Sequence, residues 1–345
     1  MNALKNLYFK LYSNCKIVEG YNKAAIYDLQ REKMYHIPKD MYQVIVQNEG
    51  QKISDIYKSF EKSNWEIIDE YFSFLIERDL ILLLESASDF CDFPDINFSF
   101  EDPFTLNTAI IAFENSKNWK KTTFKIINNL KSVNCKNIQL RTNSTFDIDS
   151  FLELISIFTE IHFFTSLSLI VDSSILPLLM EKKIIRTPIL NFIMYFGEKD
   201  IVSPELSEKV LKDYQVKIIY YENNDFPRFN NNEIRLSCFT PNIQTFSESQ
   251  KNNIYYNKKV FIDINGDIYQ SPYTHKIRGN IFESNLLSLV NTESFKEYWK
   301  ITKDQIETCQ DCEFRYACND GRVPIKKSNH LFYIEEDCSY NPYKE

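Results

Sequence analysis

Between Asp102 and Tyr221 the chain alternates short β-forming runs with helical patterns, and this alternation limits its topology more than any other feature. "LNTAIIAF" precedes a helix with Ile126, Ile127, Leu130 and Val133 on one face; "NIQLRT" precedes "DSFLELISIF"; "LSLIVD" precedes "ILPLLMEKK". "LNFIMYF" leads to a helix that starts with Ser203 as N-cap, Pro204 at its first position and Glu205 in its first turn, where a carboxylate meets the positive helix end. "QVKIIYY" and "EIRLSCF" supply two further β-runs. Parallel strands need long crossovers, so this rhythm predicts an α/β fold with a parallel sheet or partial (β/α) barrel covered outside by helices.

The 345 residues, 43% hydrophobic and 15% aromatic, suffice for two or three domains. A net charge of −8 without a basic run removes the attraction that dominates nucleic-acid binding, so no nucleic-acid partner is expected. The longest apolar run, "LILLL" at 80–84, is far too short for a bilayer, and the start of the chain lacks a signal-type apolar region. These features predict a cytoplasmic protein with no membrane partner. No Walker loop, G-x-G-x-x-G or G-x-S-x-G occurs. His36, His162, His275 and His330 are scattered, and only His275 and His330 fall near the metal-type region in sequence. Alternation places Asp263 and Asp267 in solvent, and no catalytic acid or base is assigned.

Before the alternating segment, "LYFKLYSNCKIVEG", "KAAIYDL" and "KMYHIP" read as an antiparallel meander with a turn at Gln30–Glu32. Helices follow over about 39–49, stopped by Gly50, over "SDIYKSF", and after a Ser63/Glu66 capping box, with a final strand at "LILLLE". This order and spacing resemble the winged-helix recognition element that holds leader peptides of ribosomally made, modified peptides. The resemblance implies that a leader adds a strand along Lys33, Met34, Tyr35, His36 and Ile37 and lies against the third helix, a β-augmentation.

After residue 237, "KKVFIDINGDIYQSP" reads as a hairpin about Asn265-Gly266, followed by a helix around "TESFKEYWKITKDQ" and then Cys309, Cys312, Cys318 and Cys338. Average cysteine usage gives such a thirty-residue window fewer than about one, so the grouping is a ligand signal. Eight cysteines in a reducing compartment read as free thiols or metal ligands. Spacing alone allows a four-cysteine zinc site or an iron–sulfur cluster.

A hairpin bearing "GDIY", then C-x2-C-x5-C and a late cysteine, resembles the SPASM domain of peptide-modifying radical SAM enzymes. The resemblance implies that Cys309, Cys312, Cys318 and Cys338 ligate one auxiliary [4Fe–4S] cluster, with one Zn2+ as the alternative. Cys238 corresponds to an early cysteine of the family pattern, whereas Ser271 and Arg322 stand where two further cysteines of that pattern belong. The other auxiliary cluster is therefore expected to be lost. The C-x3-C-x2-C that chelates S-adenosylmethionine is missing, because "LNTAIIAF" runs into "ENSKNWKK", and Cys15, Cys91 and Cys135 are too isolated to replace it. No S-adenosylmethionine binding and no radical SAM activity are expected.

Taken together, a winged-helix peptide clasp at 1–95, a degenerate radical SAM-like partial barrel at 96–236 and a SPASM domain at 237–345 resemble the SPASM-domain maturase of grasp-with-spasm systems, which make graspetide-type peptides. The resemblance implies an accessory role with a ribosomal precursor (leader) peptide and an ATP-grasp ligase as partners. The competing readings are a peptide-modifying enzyme that uses the remaining cluster and a zinc-stabilised interaction module.

Overall fold

A computed structural model describes residues 4–143, 146–182, 184–222, 226–228 and 239–344. The N-terminal unit contains β1 (Tyr8–Leu11), β2 (Cys15–Glu19), β3 (Lys23–Asp28), β4 (Lys33–Pro38), α1 (Lys39–Asn48), α2 (Ile53–Lys58), α3 (Trp65–Glu77) and β5 (Ile81–Leu84). The sheet order is β2-β3-β4, antiparallel throughout, while β1 pairs with β5. The first predicted strand thus splits in two, and its front half closes the unit against the last strand.

Gly50 stops α1 as expected, at φ +84, and donates its N–H to Phe9 across the unit. The Ser63/Glu66 capping box does not form: a 3-10 turn occupies Lys62–Asn64, and α3 starts after Asn64 without a side-chain cap. Burial of Phe72, whose ring meets Phe9 edge-on at 5.1 Å, anchors that helix instead. A fully buried aromatic of this size contributes up to ~3 kcal/mol, more than a typical cap at ~1 kcal/mol.

Every residue of β3 after Lys23 is buried. Ala24 and Ile26 face the helices, while Ala25 and Tyr27 join Phe246 and Ala317 from the far end of the chain. The meander is therefore covered on both faces.

The central sheet is built from β6 (Thr108–Phe113), α4 (Trp119–Ser132), β7 (Asn137–Thr142), α5 (Ile148–Glu160), β8 (Ser166–Asp172), α6 (Leu176–Glu181), β9 (Leu190–Phe196), α7 (Pro204–Tyr214) and β10 (Lys217–Tyr220). All five strands run parallel, as the alternation requires. Ser203 caps α7, its Oγ accepting from the Leu206 N–H at 3.2 Å. The sixth β-run, "EIRLSCF", and with it Cys238, lies outside the described residues apart from Phe239.

After α8 (Ile243–Ser249), β11 (Lys259–Ile262) joins β6 in parallel, and β12 (Asp267–Tyr269) and β13 (Gly279–Asn280) follow antiparallel. The order is β10-β9-β8-β7-β6-β11-β12-β13, so one sheet crosses the expected boundary at residue 237. The hairpin forms with only Gly266 at positive φ; Asp263 organises the turn by accepting the N–H groups of Asn265 and Asp267, each at 2.9 Å. Asp263 is half-buried in this role and not a solvent-facing residue.

One face of the sheet packs the helices; on the other, Ile110, Ala112, Phe261 and Tyr269 pack with Phe226, which also touches the group of Ile170, Phe196 and Tyr221.

The chain continues through α9 (Leu286–Val290), β14 (Ile325–Lys326) and β15 (Phe332–Tyr333). The helix expected around 292–305 is replaced by turns. Its carbonyls have other partners: Phe295 accepts from the Gln270 side chain, Trp299 from the Asn253 N–H at 2.8 Å and Ile301 from the Asn253 side chain at 3.0 Å. Tertiary bonds outcompete the i+4 ladder there. The fold is thus mixed α/β around a large, mostly parallel sheet, and among the described residues no helix is long and apolar enough to cross a membrane.

Candidate metal centre

Cys309 opens a single 3-10 turn, and the Cys312 N–H closes it on the Cys309 carbonyl at 3.0 Å, which puts both thiols on one short knuckle. The chain then reverses through Arg315 N–H to Cys312 and Ala317 N–H to Phe314, bringing in Cys318. Cys338 returns on the tail after the β14–β15 hairpin. Cys309, Cys312, Cys318 and Cys338 line one cavity of ≈ 30 Å³ together with Phe239, Lys303, Phe314, Asp320, Arg322 and Tyr340.

The four share this wall without being drawn into a ligating set: among the described residues no three His, Cys, Asp or Glu side chains stand together as metal ligands. The seven described cysteines are all free thiols. The donor chemistry nevertheless fits a thiolate-bound metal. Backbone N–H groups two residues on donate to sulfur at two of the four positions, Phe314 to Cys312 and Tyr340 to Cys338, each at 3.4 Å, and at Cys312 this bond favours the charged form. Burial raises the thiols of Cys309, Cys312 and Cys318, the last to about 12, while the Lys303 ammonium works against that rise at Cys309 and Cys318.

Around the cavity lies a buried charge group that the sequence reading missed. Lys303 Nζ sits 3.1 Å from Asp320 Oδ2, and Arg322 grips the same carboxylate through Nε and Nη2. Burial pushes the Asp320 carboxyl up, but Lys303 and Arg322 outweigh it and hold it far below the usual carboxylate range. Two cations against one anion leave a positive excess. Four thiolates around a cluster or a zinc ion carry the opposite excess, so the electrostatic match is favourable in sign.

Ser271 and Arg322 are both buried, and Ser271 and Gly321, the residue before Arg322, border one tyrosine layer. Tyr256 hydrogen-bonds Ser271 and donates its hydroxyl to the Gly321 carbonyl at 2.6 Å. Gly321 is wedged against Tyr255 and Tyr273, where a Cβ would meet ring carbons at 2.5 and 2.6 Å. The Tyr255 ring lies edge-on to Tyr256 and Tyr273, at 5.3 and 5.4 Å. Aromatic rings fill this space.

Of the five predicted peptide-contact residues, Tyr35 and Ile37 face the helices, with Tyr35 edge-on to Phe74 at 6.1 Å and Ile37 buried. Lys33 is exposed. Met34 and His36 face the other way and line a cavity of ≈ 390 Å³ with Glu32, Phe239, Pro241 and Phe314. His36 stacks on Phe314 at 4.5 Å. Phe239 and Phe314 therefore stand between the cysteine cavity and β4. Among the described residues β4 pairs with β3 alone, which leaves its outer edge open.

Elsewhere, His275 and His330 are exposed and line neither cavity. The loop after β6, 114–118, is exposed and holds no cysteine. Cys15 and Cys135 are buried in separate cores, and Cys91 is exposed.

No family model matches the chain, and no curated protein matches it. Among solved structures it is similar to Streptococcus suis SuiB bound to S-adenosylmethionine, at 12% identity and a TM-score of 0.32, covering 95% of this chain and 99% of that one. It is similar also to SuiB bound to the precursor peptide SuiA, at 11% identity and a TM-score of 0.29 over 94% and 98% of the two chains. SuiB alone gives 10% identity and a TM-score of 0.28 over 94% and 99%.

Proposed function

We propose that this chain is an accessory protein of ribosomal peptide maturation: it holds the leader of a precursor peptide along β4 and presents the peptide to a modifying enzyme, an ATP-grasp ligase. In this reading residues 1–95 are the winged-helix clasp, 96–236 a radical SAM-like barrel without its cluster motif, and 237–345 a SPASM domain with one metal centre. The observation that carries the reading is the common wall: the four cysteines share one cavity, and two of its lining residues, Phe239 and Phe314, also line the cavity beside the open strand β4.

Cys309, Cys312, Cys318 and Cys338 would hold one [4Fe–4S] cluster, with Zn2+ as the alternative. When bound, the group supplies cross-linking of the C-terminal region, because four protein ligands leave no open iron for substrate. Ser271 and Arg322 support the loss of the other cluster, since they occupy the two positions whose cysteines it would use. An extended peptide pairing with β4 would satisfy the strand's outward N–H and C=O groups, and alternate side chains would fall toward the Met34/His36 cavity and toward Tyr35 and Phe74.

Titration of the intact protein with a fluorescent precursor leader tests this: saturable binding is expected. Absence of binding, even with the ligase present, contradicts the proposal, and a mass change in the precursor produced by this protein alone would assign it catalysis instead.

A further inference from the structure

Glu313, the residue after Cys312, is fully buried between the cysteine turn and the N-terminal sheet. Its carbonyl accepts from the Tyr27 hydroxyl of β3 at 2.7 Å. Carboxylate Oε1 accepts from the Tyr340 hydroxyl and lies 3.4 Å from His36 Nε2 on β4. Its backbone N and Oε2 press on Gly20 so closely that a Cβ there would meet them at 2.9 and 2.6 Å. Flanking residues continue the junction: Tyr21 N–H donates to the Asp311 carbonyl at 2.8 Å, and Arg315 donates to the Glu19 carbonyl at 2.6 Å.

One five-residue segment, 311–315, therefore grips the β2–β3 turn, the middle strand and the outer strand, and Cys312 lies within it. Oε2 of Glu313 has no hydrogen-bond partner among the described residues. A buried carboxylate with idle acceptor capacity costs stability, so filling space does not explain a glutamate here. Its three side-chain and backbone contacts instead join the knuckle rigidly to β3, β4 and the tail.

We propose that Glu313 is a positioning residue that transmits the order of the cysteine turn to the outer edge of β4, so that ligation at Cys312 governs how well an extended peptide pairs there. The coupling rests on the metal and peptide readings above, but it can be measured separately from both. Among the described residues β4 pairs on one side only, so its edge is held in place by the contacts on its faces, and His36 makes two of them with residues 313 and 314. A loosened turn releases both.

Hydrogen exchange of the full-length protein, read by mass spectrometry over 19–23 and 33–38 with β8 as internal reference, tests the coupling. With metal content retained, Glu313→Ala is expected to accelerate exchange in both segments roughly tenfold and leave β8 unchanged. Chelation of the wild-type metal should do the same, and should add little in the Glu313→Ala protein, as expected for two changes acting on one path. Glu313→Gln, which keeps the volume and an acceptor for Tyr340, should fall between wild type and alanine and serves if the alanine variant does not fold. Unchanged exchange over 33–38 after both chelation and substitution, with 309–318 accelerated, overturns the proposal. If the purified protein carries no metal, the metal reading fails, and the substitutions alone decide whether the turn holds β4. If the leader does not bind while β4 responds, the peptide reading fails and the coupling stands.

Discussion

Arg322 meets Asp320 through two parallel hydrogen bonds, Nε to Oδ1 and Nη2 to Oδ2, both 2.9 Å and both buried. Its third arm, Nη1, donates to the Glu336 carbonyl at 2.6 Å. The guanidinium thereby ties the segment after Cys318 to the segment before Cys338. Arg322 is thus a cross-strap between the two segments that carry Cys318 and Cys338.

Arg322→Ala leaves Asp320 with Lys303 alone in a buried setting and frees the tail. Removal of one partner of a buried pair typically costs ~3–5 kcal/mol. Denaturant unfolding should show a loss of that order, and a loss below ~1 kcal/mol would mean the strap is dispensable.

Cys312→Ala should release the metal and disorder the C-terminal region, since structural metal ligation contributes roughly 10–16 kcal/mol against a domain stability of ~5–15 kcal/mol. Limited proteolysis should then cut within 309–338. Unchanged melting and protease resistance would rule out a structural metal.

Gly321→Ala places a methyl group against the Tyr255 and Tyr273 rings, with contacts that no settled structure tolerates. Overpacking of this kind costs ~1–3 kcal/mol. Thermal melting of the variant should fall by several degrees; an unshifted melt would show that the tyrosine layer is loosely packed.

Lys259 holds its ammonium 4.0 Å above the Tyr255 ring, and burial draws its pKa down to about 8, with Glu248 opposing the shift. Between that value and its ordinary 10.5 the unfolded chain binds more protons than the folded one, so stability should rise with pH across this window. Below it the penalty is fully present. Part of the residue's surface remains accessible, which places the effect near the low end of ~1–3 kcal/mol. Denaturant midpoints of wild type minus Lys259→Met, taken from pH 7 to pH 10, should show the variant more stable at pH 7 and the difference shrinking as pH rises. A constant difference contradicts the assignment.

The parallel sheet was legible because each of its strands carries its own signal: a compact β-run before a helix with one apolar face, as in "NIQLRT" before α5. Stop signals such as Gly50, and Ser203 with Pro204, were legible for the same local reason. What escaped the sequence is set by distant partners. β1 leaves the meander for β5, about 70 residues later, and β11 joins β6 across about 150 residues of chain, pairings that no local pattern encodes. The helix expected around Phe295 and Trp299 gives way to side chains of Gln270 and Asn253, which carry no signal of their own in sequence. At the candidate site, cysteine spacing identified all four lining thiols, whereas Lys303, Asp320 and Glu313 gained their meaning only through burial beside them.

Iron, zinc and acid-labile sulfide per chain, measured on protein purified without oxygen, test the central claim most directly. About four irons and about four sulfides per chain are predicted, and these should vanish together in Cys312→Ala. Stoichiometric zinc without iron or sulfide would contradict the cluster, and protein free of any metal yet fully folded would contradict the metal centre itself.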